Sequence, residues 1–273
     1  MPYSLPKAET CHLFDQLATS YDDPALRFGA FTADRLLAGL KPQQNHKILD
    51  LACGTGHVAL SACQTLHTGR ITAIDLSERM IDKADEKIKH LGIKNIDLYD
   101  MDAENLAFKS DFFDHVVCAY GLPFFNDPIK ALKDCQRVTH KGGKIVFAVW
   151  GKSAFNPLLP LLKTQLKAQK LDTFIQAADV GMDAQQLQTL FKQAGLNNAH
   201  IQTHQMGYRL QRKADSWDVI YNSHLRIALS ALSPQNQTQF KLAFIDSSET
   251  YQNEAGLWLD METHFISAMN GGV

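Results

Sequence analysis

Cysteine is scarce and unpatterned in this chain of 273 residues. The five present are Cys11, Cys53, Cys63, Cys118 and Cys135, an odd count with no CxxC pair. That argues against a disulfide framework and against a zinc site; no metal ligand set is indicated, and a reducing cytoplasm is the expected compartment. Long apolar runs are missing as well. Nothing approaches the roughly 18 uninterrupted apolar residues of a membrane span. The opening residues, MPYSLPKAETCHLFDQ, lack the basic start and apolar stretch of a secretory signal. Charge of one sign is not in excess either: 27 basic residues stand against 29 acidic ones, a net charge of -2. That balance provides no electrostatic footprint for nucleic acid or an anionic membrane. Internal repeats and low-complexity runs are also lacking.

The first half of the chain alternates short apolar runs with amphipathic stretches, which predicts βα units and a parallel sheet. Strands are expected at residues 46–52, 70–76, 95–99, 113–120 and 144–150, the last preceded by a Lys141-Gly142-Gly143 turn. Four of the five are apolar almost throughout, as strands are when helices cover both faces. Between them, Val58, Ala59, Ala62, Cys63 and Leu66 share one helical face. Met80, Ile81, Ala84, Ile88 and Leu91 share another, capped by Ser77 and stopped by Gly92. Asp127-Pro128 starts a helix presenting Ile129, Leu132, Cys135 and Val138.

The second half is less regular. Residues 151–182 read as an insertion over the sheet. Asp183 caps a helix ended by Gly195, and a sixth strand is expected within 199–209. Helical segments follow at about 214–231 and 235–250. The alternation of Trp258, Asp260 and Glu262 against Leu257, Leu259 and Met261 then predicts one last strand over 256–269. The expected fold is a Rossmann-like, doubly wound α/β domain with a mostly parallel seven-stranded sheet. One domain spans 1–273, with N-terminal cap helices in 1–45, a cofactor-binding core in 46–150, and cap insertions at 151–182 and 212–255.

The most informative segment runs from Ile48 to Ala59, ILDLACGTGHVA, at a strand end that opens a helix. Glycine allows the sharp turn and the close approach of a ligand, and a helix N-terminus offers unpaired N–H groups. Gly54-x-Gly56-x-x-Ala59 also fits the dinucleotide fingerprint, so the loop alone does not choose a cofactor. Asp75 ends the second strand, 21 residues beyond Gly54, where a carboxylate accepts from ribose hydroxyls. NAD and S-adenosylmethionine share that ribose. Asp50 favours the latter: a carboxylate beside the turn suits an aminoacyl ammonium and would repel a pyrophosphate. Asp102, after the third strand, can accept from an adenine amino group. A nicotinamide-linked oxidoreductase would want a catalytic YxxxK pair or a separate catalytic domain; the one YxxxK match, Tyr3 to Lys7, lies ahead of the first strand and of the glycine turn, and does not support that reading.

ILDLACGTG, AIDLSERMIDKA, DAENLAF and the segment FDHVVCAYGLPFFNDPIKALKDCQRVTHKGGKIVFAVWG resemble the successive motifs of class I S-adenosylmethionine-dependent methyltransferases. They are most similar to the methyltransferase-11 type that includes the ubiquinone and menaquinone C-methyltransferases, and LFDQLATSYDD resembles the segment preceding the glycine motif there. The resemblance covers about residues 12–151. It implies that Asp50, Ala52, Gly54, Thr55 and Gly56 line the methionine end of the cofactor and that Asp75 holds the ribose. It also implies that Leu76 and Met80 pack near the adenine, and that Asp102 and Ala103 read the adenine edge. Tyr120 and Gly121 would face the reacting methyl, and Tyr21 would close over the cofactor's carboxylate. Many members carry glycine where Ala52 stands. The implied activity is methyl transfer to a small-molecule acceptor, with C- or O-methylation favoured. A cofactor-binding protein without turnover is the alternative reading from a different class.

A sulfonium methyl is already reactive, so the protein need supply only placement, water exclusion and sometimes a base. Tyr120 and His57 are the nearest candidate bases; Tyr120 reads better as a pocket wall and His57 as a first-turn helix residue. His12, Tyr21 and His140 are weaker candidates. Gly121-Leu122-Pro123-Phe124 stands where amine-methylating nucleic-acid enzymes carry (D/N/S)PP(Y/F), and glycine lacks the side chain that accepts from the amine. Phe124, Phe125, Trp150, Phe155 and Trp217 are candidate apolar surface for the acceptor.

Overall fold

The computed structural model describes residues 5–171 and 174–271. Two N-terminal helices, α1 (Lys7–Leu17) and α2 (Phe28–Leu40), precede the sheet. The core then runs β1 (Lys47–Leu51), α3 (His57–Ala62), β2 (Arg70–Asp75), α4 (Glu78–His90), β3 (Ile96–Asp100), β4 (Phe113–Ala119), α5 (Pro128–Val138) and β5 (Thr139–Trp150). Beyond it come α6 (Leu158–Ala168), α7 (Ile175–Ala178), α8 (Ala184–Gln193), β6 (His200–Gln205), β7 (Tyr208–Leu210), α9 (Asp215–Asn222), α10 (Pro234–Ser248), β8 (Gln252–Asn253), β9 (Gly256–Leu259) and β10 (Glu262–Met269).

The main sheet has seven strands in the order β3-β2-β1-β4-β5-β10-β6. β1 to β5 pair in parallel, and β10 alone runs antiparallel, between β5 and β6. Alternate side chains of one strand enter opposite cores. Ile48 joins Leu36, Ala59 and Val117 under α2 and α3, whereas Leu49 and Leu51 join Leu132, Phe147 and Phe191 under α5 and α8. Near-continuous apolar strands are the consequence of this two-sided burial. The expected helix caps form: Ser77 accepts from the Met80 N–H and Asp127 from the Lys130 N–H, and Asp183 and Gln186 complete a reciprocal capping box.

A third core lies above the sheet. Phe155, Leu158, Leu162, Trp217, Phe240 and Phe244 from α6, α9, α10 and their connections pack there, with the antiparallel sheet β7-β9-β8 beside them. Among the described residues, no helix is long and apolar enough to cross a membrane.

Three expectations need correction. The last strand is two. Leu257 and Leu259 belong to β9 of the small sheet, while Glu262 opens β10 of the large one. The chain breaks where the Asp260 N–H donates to Asn156 O and Asp260 O accepts from the Phe155 N–H. β5 begins at Thr139, and Lys141-Gly142-Gly143 is an excursion within it: Phe113 faces Thr139 and His115 faces Lys144, with Gly142 at φ 82°. Leu91, placed on the buried face of α4, is exposed at the helix end.

Candidate active site

The strand order reverses between β1 and β4, and open α/β sheets bind ligands beyond the carboxyl ends of the strands at such a point. The turn after β1 is built from left-handed backbone: Ala52 at φ 50°, Gly54 at φ 53° and Gly56 at φ 90°. It is anchored to the neighbouring strand, since Cys53 N–H donates to Ile74 O at 2.9 Å and Gly54 N–H to Asp75 Oδ2 at 2.8 Å. The other Asp75 oxygen accepts from Ser77 N–H at 2.9 Å. Burial pushes the Asp75 carboxyl up to about 6, against the pull of those N–H groups.

A cavity with about 730 Å³ of atom-free space, partly open to solvent, runs from this turn to the loop after β3. Gly54, Asp75 and Leu76 line its middle, Asp102 and Ala103 one end, and Ala52, Tyr120 and Gly121 the β4 side. An adjoining smaller cavity holds Asp50, with Phe28, Gly29 and Val58 around it; Tyr21 lines both. The structure therefore brings ten of the thirteen expected cofactor residues to one connected space. Thr55, Gly56 and Met80 do not line it. The Thr55 hydroxyl is buried on Asp22, Gly56 packs on Ala84, and Met80 sits under α1 with Leu13 and Leu17.

Asp50 is only 1% exposed, and neither carboxylate oxygen has a hydrogen-bond partner. Burial drives this carboxyl up to about 8, which the nearby Ala59 N–H, not placed for a well-formed hydrogen bond, only partly opposes. An orphaned buried carboxylate is costly unless a cation or donor arrives to match it. It thus fits the ammonium of an aminoacyl group, as its position suggested. Gly121 is required by closeness: a Cβ there would stand 2.5 Å from Ala52 Cβ and 2.9 Å from Cys118 Sγ.

Of the candidate bases, Tyr21 lines the cavity, with its hydroxyl pushed well above its usual range by burial, and the nearest two are engaged with other side chains. Tyr120 adopts φ 65°; its hydroxyl lies 2.6 Å from Thr32 Oγ1 and 2.9 Å from Thr263 Oγ1, and burial pushes it up to about 12. Its ring stacks on Trp150 at 4.4 Å. His57 Nε2 lies 3.1 Å from Asp22 Oδ1. His12 sits on the outer face of α1 beside Gln16, and His140 is exposed. His224, which the sequence did not single out, is buried against Trp150 and held down to about 4 by burial.

The five candidate aromatics divide. Phe124 and Phe125 line the cavity, whereas Trp150, Phe155 and Trp217 belong to the core above the sheet. Sequence reasoning missed the α1 face: Lys7, Thr10, Cys11 and Phe14 roof the cavity at helical spacing. Lys7 Nζ lies 2.7 Å from Asp102 Oδ2 and 2.8 Å from Glu104 Oε2. The i, i+3, i+4, i+7 spacing was available as a signal, but a lysine on that stripe disguised it.

Residues 48–143 match a family described as a methyltransferase domain. A demethylmenaquinone methyltransferase of Staphylococcus haemolyticus is 34% identical over 58% of this chain and 71% of its own length. An aklanonic acid methyltransferase of a Streptomyces species is 31% identical over 60% and 76%. This chain belongs to the S-adenosylmethionine-dependent methyltransferases. The solved structure of the YcgJ protein of a Bacillus shares its fold, with a TM-score of 0.60 at 18% identity over 89% of this chain and 99% of that one. The methyltransferase uses S-adenosylmethionine as its methyl donor.

Proposed function

We propose that this methyltransferase acts on a small, largely apolar acceptor with a ring hydroxyl of its own, a quinol or related phenol, at carbon or oxygen. The observation that carries the reading is the make-up of the cavity. Its acceptor side is aromatic, through Phe14, Tyr21, Phe124 and Phe125, and no histidine lines it among the described residues. Aromatic walls suit a flat aromatic acceptor by stacking and apolar contact, and a phenol or quinol becomes nucleophilic at oxygen or ring carbon once its hydroxyl loses its proton. The relatives whose names speak of demethylmenaquinone and aklanonic acid support the same class.

When bound, S-adenosylmethionine supplies an electrophilic methyl on a sulfonium. In this reading Asp50 pairs with the ammonium of its methionine end, and Ala52 and Gly54 leave the backbone open to it. Asp75 turns to the ribose hydroxyls, Leu76 packs on the adenine, and Asp102 with Ala103 meets the adenine edge, Lys7 yielding Asp102. Tyr21 covers the glycine turn, and Tyr120 and Gly121 form the wall beside the reacting methyl. The chain's contribution is alignment and exclusion of water. In this reading the chain is a single domain in which α1 and the described parts of 151–182 and 212–255 cap the 46–150 core, whereas α2 covers one face of the sheet with α3.

The test is twofold. Titration with S-adenosylhomocysteine should give micromolar binding that Asp75→Ala abolishes. Incubation with methyl-labelled donor and a panel of quinols, phenols, amines and thiols should then label the phenolic class. Labelling of amines alone would overturn the acceptor reading.

A further inference from the structure

Tyr21 is useful to the site only if something holds it there. It lies on the short connection between α1 and α2, its ring 3.5 Å from where a Gly54 Cβ would stand. The next residue is the anchor. Asp22 receives three donors from the other side of the site: Thr55 Oγ1 at 2.6 Å and His57 Nε2 at 3.1 Å, both from the glycine turn and α3, and Lys87 Nζ at 2.8 Å from α4. Although burial opposes ionisation, those bonds hold its carboxyl well below the usual range. The His57 ring is wedged against Gly29 of α2, where a Cβ would meet it at 3.1 Å. One carboxylate thus ties the cap to the glycine turn from two core elements.

We propose that Asp22 is a positioning residue for the methyl donor: through Thr55, His57 and Lys87 it clamps the α1–α2 connection so that Tyr21 closes on the glycine turn. The inference rests on the reading of Tyr21 as a cofactor contact. It also assigns Thr55 and His57, which the sequence offered as a cofactor contact and a candidate base, to the clamp.

Titration of the full chain with S-adenosylhomocysteine tests it, in wild type, Asp22→Asn, Tyr21→Ala and the double variant, alongside KM and kcat for S-adenosylmethionine. Asp22→Asn should weaken binding about tenfold, the effect of losing one charge-assisted contact, and raise KM by more than it lowers kcat. In the Tyr21→Ala background the same change should cost less than about twofold, because what it positions is gone. An equal tenfold loss in both backgrounds, or no loss in either, overturns the proposal. Thr55→Val against Thr55→Ser gives the second measure, should Asp22→Asn fold poorly: the serine should bind as wild type and the valine as Asp22→Asn, and equal binding by both counts against the clamp. Failure of the wild type to bind S-adenosylhomocysteine would instead remove the cofactor reading itself.

Discussion

Replacing Asp50 by asparagine removes a buried ionisable group while nearly preserving the shape of the pocket, and it should separate two properties that the native residue sets against each other. An unfolded aspartate ionises near pH 3.9, whereas the folded carboxyl is pushed up to about 8 by burial at 1% exposure. A group raised in the folded state contributes fully below its unfolded value and loses that contribution as pH climbs to its folded value. The ligand-free protein should therefore shed stability from about pH 4 to about pH 8, by on the order of 4 kcal/mol at pH 7. Asp75, raised to about 6, acts in the same direction over the lower part of that range. The difference between wild type and Asp50→Asn isolates the upper part.

The assay is urea unfolding of both proteins from pH 5 to 8.5. The wild-type curve should fall relative to the variant by roughly one kcal/mol per pH unit up to about pH 8, then run parallel. Binding should show the other side. Pairing with an ammonium ionises Asp50, so S-adenosylhomocysteine at pH 7 should expel nearly one proton. Calorimetry in buffers of different ionisation enthalpy counts it. The variant should release far less and bind roughly 10- to 100-fold more weakly, the loss of a charge-assisted contact. Parallel stability curves across the whole range, together with buffer-independent heats in the wild type, would refute the assignment of Asp50 to the ammonium.

Three further outcomes follow from the geometry around the turn. Gly121→Ala puts a methyl 2.5 Å from Ala52 Cβ; it should cost about 1–3 kcal/mol in unfolding experiments and abolish detectable S-adenosylhomocysteine binding. Ala52→Gly relieves a left-handed alanine at φ 50° and should raise stability by about 1 kcal/mol. Combined with Gly121→Ala it should recover part of the loss, a coupling that a double-mutant cycle measures. Phe191→Ala, fully buried under the sheet and remote from the cavity, should cost about 3–5 kcal/mol in stability with little change in KM for the donor in the protein that remains folded.

How far the sequence could be read follows from which forces leave a local trace. Strands buried on both faces must be apolar at every position, so β1, β2, β4 and β5 were visible one segment at a time. The glycine turn was visible because left-handed backbone selects glycine, and Asp75 because its distance from the turn is set by one βα unit. Asp50 was placed by charge logic alone, and its orphaned carboxylate in the fold is the counterpart of that logic. The second half obeyed no such rule. Leu257, Leu259 and Met261 are all buried, so the alternation runs unbroken across a point where the chain leaves one sheet for another. Side-chain period reports which residues are covered, not which strand lies alongside. What decides the break is long-range: Asn156 and Phe155, over a hundred residues earlier, take the backbone bonds of Asp260.

The same distinction explains Asp22 and Lys7. Both are single charges with partners 33 to 97 residues away, and nothing adjacent in the chain demands either one. Asp22 stood beside Tyr21 in a recognisable motif, yet only the fold shows that the two have different tasks, one residue touching the turn and the next holding the first in place. A motif records that neighbouring positions matter together; the division of labour within it is set by which way each side chain leaves the backbone.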